Sequence, residues 1–350
     1  MTTLFDPLTL GDLTLKNRIV MSPLTRCRAS EGRVPNALMA EYYQQRSSAG
    51  LILSEATSVT PMGVGYPNTP GIWSDEQVEG WKLITDAVHQ AGGLIFMQLW
   101  HVGRISDPVY LGGELPVAPS ALRPAGHVSL LRPKKDYEQP RALELNEIKA
   151  VVEAYRQGAV NARAAGFDGV HVHGANGYLL DQFLQDKTNL RDDEYGGSLE
   201  NRARLMLEVT DACIDVWGKE RVAVHLSPRM DAHDMGDSNP RETFGYVATE
   251  LGKRGIAFIS TRELEGEDSL TPYLKQLFGG PVIANEKFTK AQANQWLVDG
   301  KADAVAFGIA FIANPDLPKR LQLNAELNPP RFELFHASGA EGYTDYPALG

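Results

Sequence analysis

Short apolar runs rich in β-branched residues alternate with longer amphipathic segments from one end of the 350-residue sequence to the other, and the alternation repeats eight times. The runs are Arg18 to Leu24, Leu51 to Thr57, Leu94 to His101, Gly169 to Gly174, Val222 to Pro228, Ala257 to Arg262, Pro281 to Lys287 and Ala304 to Gly308. Near-continuous hydrophobicity of this kind fits strands buried on both faces of a parallel sheet. Between the runs lie helix candidates at Asp75 to Gln90, Glu144 to Ala165, Ser198 to Trp217, Arg241 to Arg254 and Thr289 to Val298. Asp75, Ser198 and Thr289 stand where a capping side chain accepts from the free amides of a first turn. Gly166 and Gly255 follow helices, where a left-handed cap is wanted. Eight strand-then-helix units predict an α/β protein, a single (β/α)8 barrel domain over residues 1–350. A Pro- and Gly-rich insertion, residues 102–141, follows the third strand near the active-site face. An open doubly wound sheet is the competing architecture, but it usually carries a glycine fingerprint after its first strand, and Met21-Ser22-Pro23-Leu24-Thr25 has none.

Acidic residues outnumber basic ones, 44 against 34, for a net charge of −10. That field argues against a nucleic acid or an anionic membrane held by bulk charge, and still allows a local basic pocket. The two cysteines, Cys27 and Cys213, are too few for a disulfide framework or a structural zinc cluster, and point to a reducing compartment. Both are expected to be buried and inert. The N-terminus lacks a basic segment followed by an apolar run, and no stretch of about twenty apolar residues occurs, so a cytoplasmic protein without a membrane span is expected.

In a barrel of this kind chemistry sits at the carboxyl ends of the strands. Those ends are polar here: Thr25 and Arg26 on the first, Glu55 on the second, Gln98, Trp100 and His101 on the third. His171 and His173 lie on the fourth with Asn176 and Tyr178 beyond, His225 and Ser227 on the fifth, Arg262 on the sixth, Asn285 and Lys287 on the seventh. Three readings compete. His171 and His173, two apart on one strand face, could ligate a metal in a barrel hydrolase, though few carboxylates accompany them. A flavin asks for a partner at its O4 and N5 edge, an amide for its N3 and O2 edge, a polar group near N1 and a phosphate cradle, and Thr25, Gln98, His225 and Lys287 are of the right types. A non-catalytic ligand-binding barrel, its polar residues satisfied by backbone, is the third.

The run His173-Gly174-Ala175-Asn176-Gly177-Tyr178-Leu179-Leu180-Asp181-Gln182-Phe183-Leu184 resembles the signature of the old yellow enzyme family. Arg191-Asp192-Asp193-Glu194-Tyr195-Gly196-Gly197-Ser198-Leu199-Glu200-Asn201-Arg202 resembles the family's second signature. Asn17 to Arg26 and Gln98 to Arg104 resemble its first and third strands, and Ala340 to Pro347 the tail of its bacterial xenobiotic reductases, the branch that reduces nitrate esters and nitroaromatics. The resemblance spans essentially the whole chain.

It implies an FMN-containing, NADPH- or NADH-dependent barrel enzyme that reduces electron-poor C=C bonds, with nitrate esters and nitroaromatics as further substrates. Thr25 would bond flavin O4 and Gln98 the pyrimidine edge, with Pro23, Leu24 and Ala56 lining the ring. His173 and Asn176 would grip the substrate oxygen, Tyr178 would deliver a proton, and Trp100, Tyr66 and Tyr343 would shape the substrate pocket. Two positions depart from the family's pattern. His225 stands where many relatives place an arginine near flavin N1, and Ile309 follows Gly308 where many place a phosphate-binding arginine. Lys287 with the amides around Gly308 is the expected replacement at the phosphate, Arg262 is expected at the flavin's polar edge or its phosphate, and Asn285 completes the cofactor set. His233, on the loop after the fifth strand with Arg229, Asp231 and Asp234, could reach the substrate pocket, but a solvated polar loop is the expectation.

Overall fold

A computed structural model describes residues 2–350. Eight parallel strands form the centre: β1 (Ile19–Met21), β2 (Leu51–Leu53), β3 (Ile95–Trp100), β4 (Gly169–His173), β5 (Val222–Leu226), β6 (Phe258–Arg262), β7 (Val282–Asn285) and β8 (Ala304–Phe307). Each strand pairs with the next, and β8 pairs back onto β1 with Val305 opposite Ile19 and Phe307 opposite Met21. Closure leaves no strand edge unpaired within the barrel. Every apolar run of the sequence contains one of these strands. All but the sixth run outlast their strands at the carboxyl end, because those residues leave the ladder and form the barrel rim.

A main helix follows each strand: α1 (Ala37–Gln45), α2 (Asp75–Gln90), α3 (Leu145–Ala164), α4 (Leu199–Trp217), α5 (Pro240–Arg254), α6 (Thr271–Phe278), α7 (Lys290–Val298) and α8 (Leu317–Leu323), with short helices Leu179–Leu184 and Ile309–Ala313 preceding α4 and α8. Ser198 and Thr289 cap α4 and α7 as their sequence positions suggest. At α2 the expectation is off by one residue. Ser74, not Asp75, is the cap, because its hydroxyl accepts from the Gln77 amide while the Gln77 side chain returns a bond to Ser74. Asp75 is the first helical residue, where its charge still favours the positive helix end. Gly255 takes the left-handed conformation, φ 66°, directly after α5.

Side chains alternate along each strand, which sorts them into two layers. Met97, Leu99, Val170 and Val172 join the apolar layer between strands and helices. Phe96, Ala223, Phe258 and Ile283 fill the barrel interior, joined by Leu10 and Leu15 from an antiparallel hairpin, Leu8–Leu10 with Leu13–Leu15. Gly169 makes room for this packing, since a Cβ there would stand 2.4 Å from the Phe96 ring. With the interior floor apolar, the next inward positions of the same strands carry Gln98, His171, His173, His225 and Ser260 toward the mouth.

The insertion after β3 forms loops braced by Val117–Ala118 pairing with Arg141–Ala142. Its Val128 and Tyr137 pack with Tyr66 and Trp100 into a separate apolar cluster beside the mouth. On the other side the C-terminal segment returns across the barrel. Arg26 donates to the carbonyls of Phe335 and Gly342, and Arg28 to that of Leu334. Among the described residues no helix is long and apolar enough to cross a membrane.

Candidate active site

A cavity of about 720 Å³ opens at the carboxyl ends of the strands. Pro23, Leu24, Thr25, Ala56 and Gln98 line it from the first three strands, and Trp100, His173, Asn176 and Tyr178 from the third and fourth. His225, Arg262, Asn285, Lys287 and Gly308 complete the ring from the fifth to the eighth. All ten residues that the sequence assigns to a cofactor therefore border one space, together with the three assigned to catalysis.

Its polar floor is a hydrogen-bonded chain. The Gln98 amide nitrogen lies 3.2 Å from His171 Nδ1 and 3.4 Å from His225 Nδ1, and His171 Nε2 lies 2.8 Å from Ser260 Oγ. An amide nitrogen can only donate, so both Nδ1 atoms accept, and His171 donates through Nε2 to Ser260. Gln98 Oε1 is left to accept from whatever fills the cavity. His171 is thus engaged at both ring nitrogens and offers no lone pair to a metal, which removes the basis of the His171/His173 metal reading. Among the described residues no three His, Cys, Asp or Glu side chains converge as a ligand set.

Burial holds these imidazoles neutral. It drives the His171 pKa down to about 3, and His173 well below its ordinary value, with the nearby His171 and the Arg262 guanidinium adding to the effect. His225 is depressed in the same way by burial and by the two neighbouring histidines. His173 Nδ1 and Trp100 Nε1 are buried without a protein partner. Two orphaned polar atoms at a cavity wall are costly unless a ligand meets them.

One wall of the cavity is aromatic. Tyr178 lies edge-on to Trp100, ring centroids 5.0 Å apart, and edge-on to His173 at 5.1 Å. Its hydroxyl is 2.7 Å from that of Tyr66, whose ring stacks on Trp100. Tyr66 therefore stands behind the proton-donor candidate. Burial pushes the Tyr178 hydroxyl up to about 12, against the lowering effect of the Tyr66 hydrogen bond.

Tyr343 does not belong to this pocket. It is fully buried, stacked on Tyr42 with ring centroids 4.1 Å apart and lying under the Arg26 and Arg28 guanidinium groups. The resemblance placed it at the substrate; packing of the C-terminal segment places it in the core. His233 is also corrected. It is not part of a solvated loop, because its Nδ1 donates to the Asn176 carbonyl at 3.0 Å and its ring centroid sits 5.6 Å from that of Tyr178. Cys27 and Cys213 are buried, and burial raises each thiol to about 12.

At the rim, Arg262 donates through Nε to Glu286 at 2.6 Å and through Nη1 to Asn176 Oδ1 at 3.2 Å. Lys287 is exposed at the cavity edge and makes no hydrogen bond or ion pair with another described residue. Glu286 and Lys287 both have positive φ, 119° and 55°, which side-chain-bearing residues rarely adopt. Glu286 escaped the sequence reading, though two charged residues just past a barrel strand were a visible signal. Phe335 and His336 line the cavity from the C-terminal segment; nothing in their local sequence marks them.

The donor set fits a flat heteroaromatic group with an anionic tail. Gln98 Oε1 and the Thr25 hydroxyl are open acceptors or donors, the apolar Pro23, Leu24 and Ala56 offer a surface for a ring, and Lys287 offers the free cation.

Comparison with known proteins agrees. The sequence model described as the NADH:flavin oxidoreductase / NADH oxidase family matches residues 3–328. Rice 12-oxophytodienoate reductase 1 is 43% identical over 359 residues, covering 99% of this chain and 93% of the rice protein. The structure of the old yellow enzyme homologue from Zymomonas mobilis superposes with a TM-score of 0.97 at 47% identity, covering 99% of this chain and 100% of that one. Morphinone reductase in complex with tetrahydroNAD superposes at 0.96 and 48% identity, covering 100% and 98%.

The placement of Tyr343 has a direct test. Its hydroxyl is buried without a partner, so Tyr343→Phe should leave turnover unchanged and hold or raise stability by up to about 1 kcal/mol in urea unfolding. A loss of turnover would return this residue to the site.

Proposed function

Because this chain belongs to the NADH:flavin oxidoreductase / NADH oxidase family and is an FMN-dependent NAD(P)H oxidoreductase like the old yellow enzymes, we propose that it reduces electron-poor C=C bonds of unsaturated carbonyls, nitroalkenes and maleimides, and also nitrate esters and nitroaromatics. The observation that carries this reading is the juxtaposition of two neutral donors, His173 and Asn176, with a tyrosine hydroxyl, Tyr178, on one wall of the cavity.

FMN, once reduced by NAD(P)H, would supply the hydride for the substrate's β carbon. Thr25, Gln98, His225, Asn285 and Gly308 would hold that group, with Pro23, Leu24 and Ala56 against its ring. As negative charge develops on the activating oxygen, an imidazole N–H of His173 and Asn176 Nδ2 donate to it. Aimed donors in a dry site are worth roughly 10²–10³ each in rate. Neutrality suits His173 for this work, since a buried imidazolium would be costly to form. The Tyr178 O–H bond then breaks and its proton moves to the α carbon. Tyr66 donates to the resulting phenolate across the 2.7 Å contact, which steadies a charge that burial alone would oppose. Trp100 walls off this corner from water.

The chain has no complete dinucleotide fingerprint, as Gly63-Val64-Gly65 lacks the third glycine. Nicotinamide and substrate would therefore use the same cavity in alternating half-reactions, the first leaving before the second enters.

Tyr178→Phe tests the proton transfer. It should slow reduction of an enone by roughly 10²-fold or more in stopped-flow, while FMN reduction by NADPH keeps its wild-type rate. Cleavage of a nitrate ester, which needs no carbon protonated, should also be spared. Equal losses in both half-reactions would rule the assignment out.

Lys287 is the group we assign to the FMN phosphate, supported by its free ammonium at the rim beside Gly308. A charge-assisted hydrogen bond lost there amounts to about 1.5–3 kcal/mol, so Lys287→Ala should weaken FMN binding ten- to a hundredfold or so. Quenching of free FMN fluorescence on titration with apoprotein measures it, and wild-type affinity in the variant would contradict the assignment.

A further inference from the structure

Asn176 is held at more points than an amide that merely meets substrate requires. It sits just beyond β4 at φ 59°, a left-handed conformation that asparagine tolerates. Its backbone N–H donates to Ser227 Oγ at 2.7 Å, and its carbonyl accepts from His233 Nδ1 at 3.0 Å. Its side-chain Oδ1 accepts from Arg262 Nη1 at 3.2 Å. Only Nδ2 is left without a protein partner, and the residue lines the cavity.

Arg262 is itself anchored. It is the last residue of β6, and its Nε donates to the Glu286 carboxylate at 2.6 Å from just beyond β7. Glu286 keeps a side chain at φ 119°, where glycine would be unstrained. Strained residues persist where surrounding structure over-determines them, and the ion pair to Arg262 is what the Glu286 side chain contributes here.

We propose that Arg262 is a positioning residue that orients and strengthens Asn176 as a donor, and so biases the enzyme toward substrates whose charge gathers on a single carbonyl oxygen. The inference rests on the reading of Asn176 as a donor to substrate oxygen. Turning the amide over would set its NH2 against the guanidinium, so the cation locks Nδ2 toward the ligand. A cation at Oδ1 also polarises the amide, which makes the remaining N–H a better donor. A ketone enolate concentrates charge on one oxygen and gains the most from this. A nitro group spreads it over two and gains less.

The test uses FMN-loaded wild type, Arg262→Gln, Arg262→Lys, Asn176→Ala and the Arg262→Gln/Asn176→Ala double variant, with flavin content checked by absorbance. Arg262→Gln should lower kcat/KM for 2-cyclohexenone by about tenfold and for β-nitrostyrene by clearly less. Arg262→Lys, which keeps the charge but loses the planar fork, should fall between. In the Asn176→Ala background the Arg262→Gln change should have no further effect, the signature of action through that residue. The Kd of cyclohexanone, a saturated ketone that cannot turn over, read from the flavin absorbance, should rise in Arg262→Gln and not change further in the double variant. Equal losses on both alkenes, or an undiminished loss in the Asn176→Ala background, would overturn the proposal. Failure of Asn176→Ala by itself to slow enone reduction would instead strike the reading beneath it, and the proposal with it.

Discussion

Strand side chains alternate, and closing eight parallel strands into a ring turns that alternation into a division between an outside that must be apolar and an inside of fixed, narrow width. The inner positions nearest the hairpin end are filled by Phe96, Phe258 and their neighbours. Two residues further along the same strands the width is unchanged, but the side chains are Gln98, His171, His225 and Ser260. The site is thus the polar upper storey of a barrel whose lower storey is hydrophobic. The same backbone closure that makes the fold stable aims these groups at one space.

Polar groups in so confined an interior must satisfy one another or a ligand. Gln98, His171, His225 and Ser260 bond one another through a chain with a single consistent set of donors and acceptors, which leaves Gln98 Oε1 open to the cavity. His173 Nδ1 and Trp100 Nε1 do not. Charge is kept at the rim, where Arg262 is paired with Glu286 and Lys287 is solvated. This separation explains how a site with two rim cations, Arg262 and Lys287, can keep the imidazoles of His171, His173 and His225 neutral: the permanent cations stand where water reaches them, and these rings stand where it does not. It also bears on the two departures from the family's pattern. Where the family resemblance implies arginines, at positions 225 and 309, this chain has a neutral ring and an apolar side chain, and the cations at the ends of β6 and β7 that border its cavity are Arg262 and Lys287.

Much of this is legible in the sequence because a period of two on a strand decides which side a residue faces. His173, His225, Gln98 and Arg262 could be assigned to one face before any coordinates. Loops have no such rule. The Tyr66 hydroxyl meets Tyr178 across 112 residues of sequence, and only the packing of both rings on Trp100 brings them together. Charged neighbours such as Asp231 and Asp234 make a solvated loop the natural expectation for His233, yet a left-handed backbone at φ 62° turns its ring inward to Asn176. Tyr343 fails for the opposite reason. It belongs to a tail motif that resembles the family's, but three buried arginines, Arg26, Arg28 and Arg46, gather the backbone carbonyls of that tail and draw the ring into the core. Motif likeness carries identity well and placement poorly where long-range hydrogen bonds decide the geometry.

The central claim is that one cavity serves both a nicotinamide that reduces the flavin and an electron-poor alkene that reoxidises it. Its most direct test is the visible spectrum of the purified protein, titrated anaerobically with NADPH and then with 2-cyclohexenone. The account predicts a flavin band that bleaches on the first addition and returns on the second, with excess NADPH slowing the return by competing for the same space. A protein that stays colourless and inactive when FMN is restored, or a flavin that NADPH bleaches but no enone, nitroalkene or nitrate ester reoxidises, would contradict it.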